Sequence, residues 1–171
     1  PNSLLGIPLT IVSTIVVAFI LFGQVLYASG GGDFFTNLAM SVMGRFRGGA
    51  AKIAVFASAL FGTISGSPVA NVVVDGAITI PMMVRTGYKP HVAAAVESVA
   101  SNGGQLMPPV MGAVAFVMAG FTGIPYIKIA AVAIIPALLY YFSIALYVQF
   151  QAMKLNVLSV DEKPDKREML L

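Results

Sequence analysis

The stretch FGTISGSPVANVVVDG, Phe61 to Gly76, places a break in the middle of an apolar run and sets an Asn and an Asp just beyond it. Gly66 and Pro68 interrupt a helix. Ser67 is suited to cap a new one, with Pro68 at its first position. The segment around this break, Ile53 to Val84, has 32 residues with Lys52 before it, Arg85 after it and no basic residue between. One straight helix of that length would measure about 48 Å, well over a hydrocarbon core of roughly 30 Å.

The surrounding composition makes a membrane the relevant solvent. Hydrophobic residues fill 58% of the 171 positions and charged residues 10%, against about 25% charged in soluble domains. Basic residues sit in short loops and form no face of their own, which excludes a nucleic-acid footprint. Arg45, Arg47 and Lys52 precede the segment and Arg85 and Lys89 follow it. Basic loops prefer one side of the membrane, so both ends belong together. The expected shape is a re-entrant hairpin whose tip is buried in protein or faces a water-filled cavity. An ordinary loop joining two short spanning helices is the alternative.

Outward from the hairpin, the chain divides into six segments. Residues 1–32 hold a spanning helix, Leu5 to Ala28, ended by three glycines. Residues 33–49 form an amphipathic arm, with Asp33 as N-cap and Phe34, Phe35, Leu38, Ala39, Val42, Met43 and Phe46 at helical spacing. The hairpin and its loop fill 50–91. In 92–126 a helix, Val92 to Ser101, is broken over Asn102 to Pro109 and resumes from Val110. Residues 127–153 carry a further spanning helix, Ile129 to Gln149, and 154–171 a charged tail. With this topology nine of the ten Lys and Arg fall on one side and only Lys128 on the other; that side is cytoplasmic. The fold class is all-α and polytopic. With no initiator Met, and a first apolar run too long for a signal-peptide core, the chain reads as a piece of a longer polypeptide.

Broken helices inside a bilayer expose carbonyls at one end and N–H groups at the other, the arrangement that holds ions and substrates in secondary transporters. The carbonyls of Thr63 to Gly66 would present partial negative charge, and the start of the second arm partial positive charge. Ser67, Asn71 and Asp75 form one stripe, and Glu97 and Ser101 another. Intramembrane carboxylates suggest an ion or proton path; each is also open to a structural, helix-packing role. Ser58, Gly62 and Gly66 give small residues at four-residue spacing, which lets another helix approach closely. His91 reads as a solvated loop residue, and the methionines as gap fillers. A channel is the competing function, since half-helices also build filters. An enzyme is not expected: there is no second Asp in a matching motif, no HExxH, and no Ser-His or Ser-Lys pair within a helical turn.

The run from Arg47 to Gly120, and above all SGSPVAN and GGQLMPPVMG, resembles the large membrane subunit of tripartite ATP-independent periplasmic (TRAP) transporters. Glu97, NGGQLMPP and the IIPALLYY run at Ile134 to Tyr141 are most similar to the fused permeases. The resemblance implies an elevator-type fold of two inverted repeats, of which this chain is the first. It also implies import of organic acids handed over by a periplasmic solute-binding protein, across a bacterial or archaeal cytoplasmic membrane. The expected ion-coupling residues are Thr63, Ser65, Gly66, Ser67, Asn71, Asp75 and Glu97. The expected substrate residues are Ser67, Pro68, Val69, Ser101, Asn102, Gly103, Gly104, Gln105, Pro108 and Pro109. No cofactor and no resident metal is expected; the coupling ion is Na+ or H+. In sodium-coupled relatives the positions around Glu97 are small or hydroxylic, so the acid makes proton coupling an option. The remaining partners are the rest of the permease polypeptide and the lipid bilayer.

Overall fold

The computed structural model describes residues 6–44, 46, 48–155 and 157, and these form helices joined by turns and short connections, with no strand among them. Leu5, Arg45, Arg47 and the charged tail beyond residue 157 lie outside the described residues.

The first helix, α1, runs as Ile7–Ile11, a π turn Val12–Val16 and Val17–Ala28 without a gap. Helix α2 is Gly31–Met43, capped by Gly30 with φ 90°. The expected cap, Asp33, lies instead inside the first turn. One glycine suffices to reverse the chain, so Gly31 and Gly32 are free to start the helix, and the Asp33 charge meets the positive end of its dipole.

Helices α3 (Gly49–Ser65) and α4 (Pro68–Arg85) form a hairpin hinged at Gly66 and Ser67. Gly66 takes a left-handed conformation, φ 57°, and closes α3 through its N–H to the Gly62 carbonyl. Ser67 is extended, its side chain accepts from the Ala70 N–H at 3.3 Å, and Pro68 occupies the first helical position. This cap follows directly from the Ser-Pro pair. Replacing Ser67 with Ala leaves the Ala70 N–H unpaired, and the expected cost is about 1 kcal/mol, measurable as a lower Tm of the purified protein.

Helix α5 is Pro90–Gly103, followed by a 3-10 turn over Gly104–Leu106; α6 is Ala113–Thr122 and α7 Tyr126–Lys154. The break therefore falls later than expected. Asn102 and Gly103 still belong to α5, and the second arm starts at Ala113 rather than Val110. Met111 has φ 54°, which no helix accommodates. Helix α7 is also longer than Ile129 to Gln149. Its first residue, Tyr126, stacks on Phe116 with centroids 4.4 Å apart and planes 1° from parallel, which fixes the helical start ahead of Lys128.

Small residues make the core. Ala50, Ala51, Ala54, Ala93, Ala100 and Ala152, with Val55, Val96 and Val148, bring α3, α5 and α7 into close packing. The arm α2 lies on the hairpin through Ala39, Ile53 and Ala57. The opposite faces stay open and apolar: Leu21, Phe22 and Val25 on α1, and Val132, Ile135, Leu139, Phe142 and Phe150 on α7. Such a surface is a liability in water and the norm against lipid.

Among the described helices, α4 and α7 are long and apolar enough to cross a membrane. At 29 residues, α7 is about 44 Å long. Lys52, Arg85, Lys89 and Lys154 lie at one end of the bundle, where Gly48, Tyr88 and Ala152 meet, and Lys128 lies at the far end of α7. Lys52 rests over the Phe46 ring, 5.3 Å from its centroid, so the charge stays paired with a π face as it leaves the apolar core.

Candidate functional site

The hairpin tip is seated against the break that follows α5. Val110 donates its N–H to the Thr63 carbonyl at 3.2 Å, so one of the carbonyls expected to be free is taken. A side chain on Gly66 would fall on the Met111 carbonyl oxygen, and one on Gly62 would strike the Gly104 backbone. The small-residue pattern thus serves a contact of backbone on backbone. The break itself is closed by Gly112 N–H to the Gln105 carbonyl, 2.8 Å. The Tyr126 hydroxyl holds its outer side, donating to the carbonyls of Pro109, 2.9 Å, and Val110. Two helix N-termini, of α4 and α6, and the C-terminal ends of α3 and α5 border this seat.

Beside it opens a cavity of about 410 Å³, lined by Pro68, Val69, Val72, Val73, Ser98, Val99, Asn102 and Tyr140. Of the expected substrate residues, Pro68, Val69 and Asn102 reach it. Gln105 folds over Asn102 with a 2.8 Å hydrogen bond. Gly103 and Gly104 are buried spacers instead, against Tyr140 and Tyr141 and against Gly62 and Asn71 respectively. Pro108 and Pro109, joined by a cis bond, lie in the turn beneath Tyr126.

Ser101 faces the other way, into a second constellation where α3, α4, α5 and α7 cross. Here Glu97, Asp75, Asn71, Ser58, Thr79 and Ser101 are all fully buried. Ser101 and Ser58 donate their hydroxyls to Glu97 Oε1, at 3.0 and 3.3 Å, and Thr79 donates to Oε2. Asn71 Nδ2 donates to the Ser58 carbonyl at 3.0 Å. Tyr141 donates to the carbonyls of Ala100, 3.0 Å, and Ser58, 3.4 Å. The absence of a side chain at Gly76 lets Glu97 Cγ lie close to α4.

The expected ion residues therefore separate. Thr63, Ser65, Gly66 and Ser67 are at the tip; Asn71, Asp75 and Glu97 are deeper, one to two turns along. Three members of the deep group, Ser58, Thr79 and Tyr141, are not among the residues singled out for the site from sequence. Thr79 continues the stripe Ser67, Asn71, Asp75 by one more step of four, a signal that was there to follow. Ser58 reads from sequence as packing, and its hydroxyl turns out to serve Glu97. Nothing local marks Tyr141.

Comparison with known proteins agrees over nearly the whole chain. The family model for the tripartite ATP-independent periplasmic transporter, DctM component, matches residues 4–170. The C4-dicarboxylate TRAP transporter large permease protein of Pseudomonas aeruginosa is 36% identical over 121 residues, covering 71% of this chain and 28% of that protein. The ectoine/5-hydroxyectoine TRAP transporter large permease protein of Ruegeria pomeroyi is 29% identical over 157 residues, 92% of this chain and 34% of that protein. The 2,3-diketo-L-gulonate TRAP transporter large permease protein of Escherichia coli is 28% identical over 140 residues, 81% and 32%. The chain thus spans about a third or less of the length of these relatives. No solved structure matches it.

Proposed function

Since the chain belongs to the family of the DctM component of tripartite ATP-independent periplasmic transporters, we propose that it forms the first transport repeat of an ion-driven importer of organic acids. The observation that carries this reading is the seat of the hairpin tip on the α5–α6 break. It brings two helix N-termini and a cavity together, and no basic side chain lines that cavity. An anionic carboxylate is attracted there by backbone dipoles and N–H groups alone. Pro68, Val69 and Asn102 contact the substrate, and Ser65 to Asn71 form the moving tip of an elevator-type carrier.

In this reading the hairpin is re-entrant, the basic end of the bundle faces the cytoplasm, and the tip faces inward from the opposite side of a cytoplasmic membrane. A periplasmic solute-binding protein delivers the acid, and Na+ or H+ supplies the driving force through the buried polar cluster that holds Asn71 and Asp75. Curated relatives named for C4-dicarboxylate and 2,3-diketo-L-gulonate support a carboxylate as cargo.

The experiment is uptake of labelled organic acids by the complete transporter with its binding protein in proteoliposomes, under imposed sodium or proton gradients. Accumulation against a gradient is expected, with saturation. Conductance without saturation would mean a channel. For the topology, cysteines replacing Lys52 and Arg85 should react with an impermeant maleimide from the same face. Labelling from opposite faces would make α3 and α4 two separate crossings.

A further inference from the structure

Asp75 lies at the middle of α4, fully buried, and neither of its carboxyl oxygens has a hydrogen-bond partner. One turn earlier on the same face, Asn71 is equally buried; its Nδ2 is engaged by Ser58, but its Oδ1 has no partner either. Three buried oxygens on one stripe therefore lack a proton to accept. The donors nearby are committed elsewhere. Ser58, Thr79 and Ser101 all donate to Glu97, and the Tyr141 hydroxyl is directed to the carbonyls of Ala100 and Ser58.

The groups around Asp75 supply no positive charge. Helix α5 contributes Glu97, which acts on Asp75 electrostatically. Helix α7 contributes Tyr141, and α3 contributes Ser58. The described Lys and Arg residues, Lys52, Arg85, Lys89, Lys128 and Lys154, are at helix ends or in the Lys89 cap, and His91 is exposed in the first turn of α5. A buried carboxylate with neither donor nor counter-charge is too costly to stand as it is. A divalent ion is the wrong answer, because Asp75 is the one uncommitted carboxylate here, Glu97 being held by three hydroxyls, and no group of three or more His, Cys, Asp or Glu that could hold a metal occurs among the described residues.

We infer that Asp75 and the Asn71 Oδ1 hold one exchangeable monovalent cation, either Na+ or a proton on the carboxyl, while Glu97 remains a separate acceptor held by three hydroxyls. The two carboxyl groups thus have different tasks: Glu97 ties α3, α4 and α5 together, and Asp75 is the group whose occupancy changes. The inference deepens the transport reading, on which it depends for its use; cation binding is measured without transport so that the two stand or fall separately.

The test uses the complete purified transporter, wild type and Asp75→Asn. In one arm, Na+ replaces K+ at constant ionic strength and Tm is recorded. In the other, infrared difference spectra between acid and alkaline buffer record carboxyl protonation. A Tm rise with Na+ in the wild type that is lost in Asp75→Asn identifies the cation as Na+. No Na+ response, with a protonated-carboxyl band that is missing in Asp75→Asn, identifies it as a proton. If both signals are the same in wild type and Asp75→Asn, the assignment is wrong, whether or not uptake persists. Should Asp75→Asn fail to fold, Asn71→Ala retains the carboxyl and is expected to weaken the Na+ response or shift the band; no change in either overturns the proposal.

Discussion

Gly66→Val is expected to abolish uptake while leaving the protein inserted in the membrane. Gly66 has φ 57°, where an L-residue costs about 1–2 kcal/mol, and a β-branched side chain more. Its Cβ would also overlap the Met111 carbonyl oxygen, a backbone atom with no rotamer to escape into. Overpacking of this kind typically adds roughly 1–3 kcal/mol. The bundle can avoid that penalty only by lifting the tip off the break, which separates the Thr63 carbonyl from the Val110 N–H. The result to look for is a Tm lowered by several degrees together with loss of substrate-dependent stabilisation. Gly62→Leu should behave similarly, since its side chain would enter the Gly104 backbone. Normal uptake by both variants would show that the tip and break do not need to touch.

The second large effect is expected at Glu97. Glu97→Leu removes the acceptor for three buried hydroxyls at once. Each unmade buried hydrogen bond costs about 1–3 kcal/mol, reduced where Ser or Thr turns back to its own helix carbonyl. A net loss of roughly 2–4 kcal/mol follows. Glu97→Gln is different in kind, because it preserves shape and hydroxyls can reverse to accept from its amide. It should fold nearly as well as the wild type. If Glu97 also takes part in proton coupling, Glu97→Gln weakens proton-driven uptake and flattens its pH dependence. Unchanged pH dependence would confine Glu97 to holding the helices.

Much of this architecture was legible because it rests on local rules. Gly66, Ser67 and Pro68 each have a conformational preference that only a hinge satisfies, so α3 and α4 can be read from residues alone. The pair Glu97 and Ser101 is one helical turn apart, and the hydrogen bond between them follows from spacing. The later break was misplaced because Val110 and Met111 look like ordinary helix formers. What unwinds them is tertiary: the seat against Thr63 and the Tyr126 hydroxyl. The deep cluster was half visible for the same reason. Ser58, Glu97 and Tyr141 come from three helices, 39 and 44 positions apart along the chain, and no periodicity links them.

Two adjacent tyrosines also join elements that the chain order keeps apart. Tyr140 donates to the Val99 carbonyl at 2.8 Å, and Tyr141 bridges Ala100 and Ser58. Both anchors come from the middle of α7, so α3, α5 and that long helix are riveted together at mid-height; in the elevator-type carrier proposed above they would travel as one block. A fluorophore at the exposed position 142 or 138 would then report whether the tip moves in such a carrier, at a distance from the polar cluster it is meant to follow.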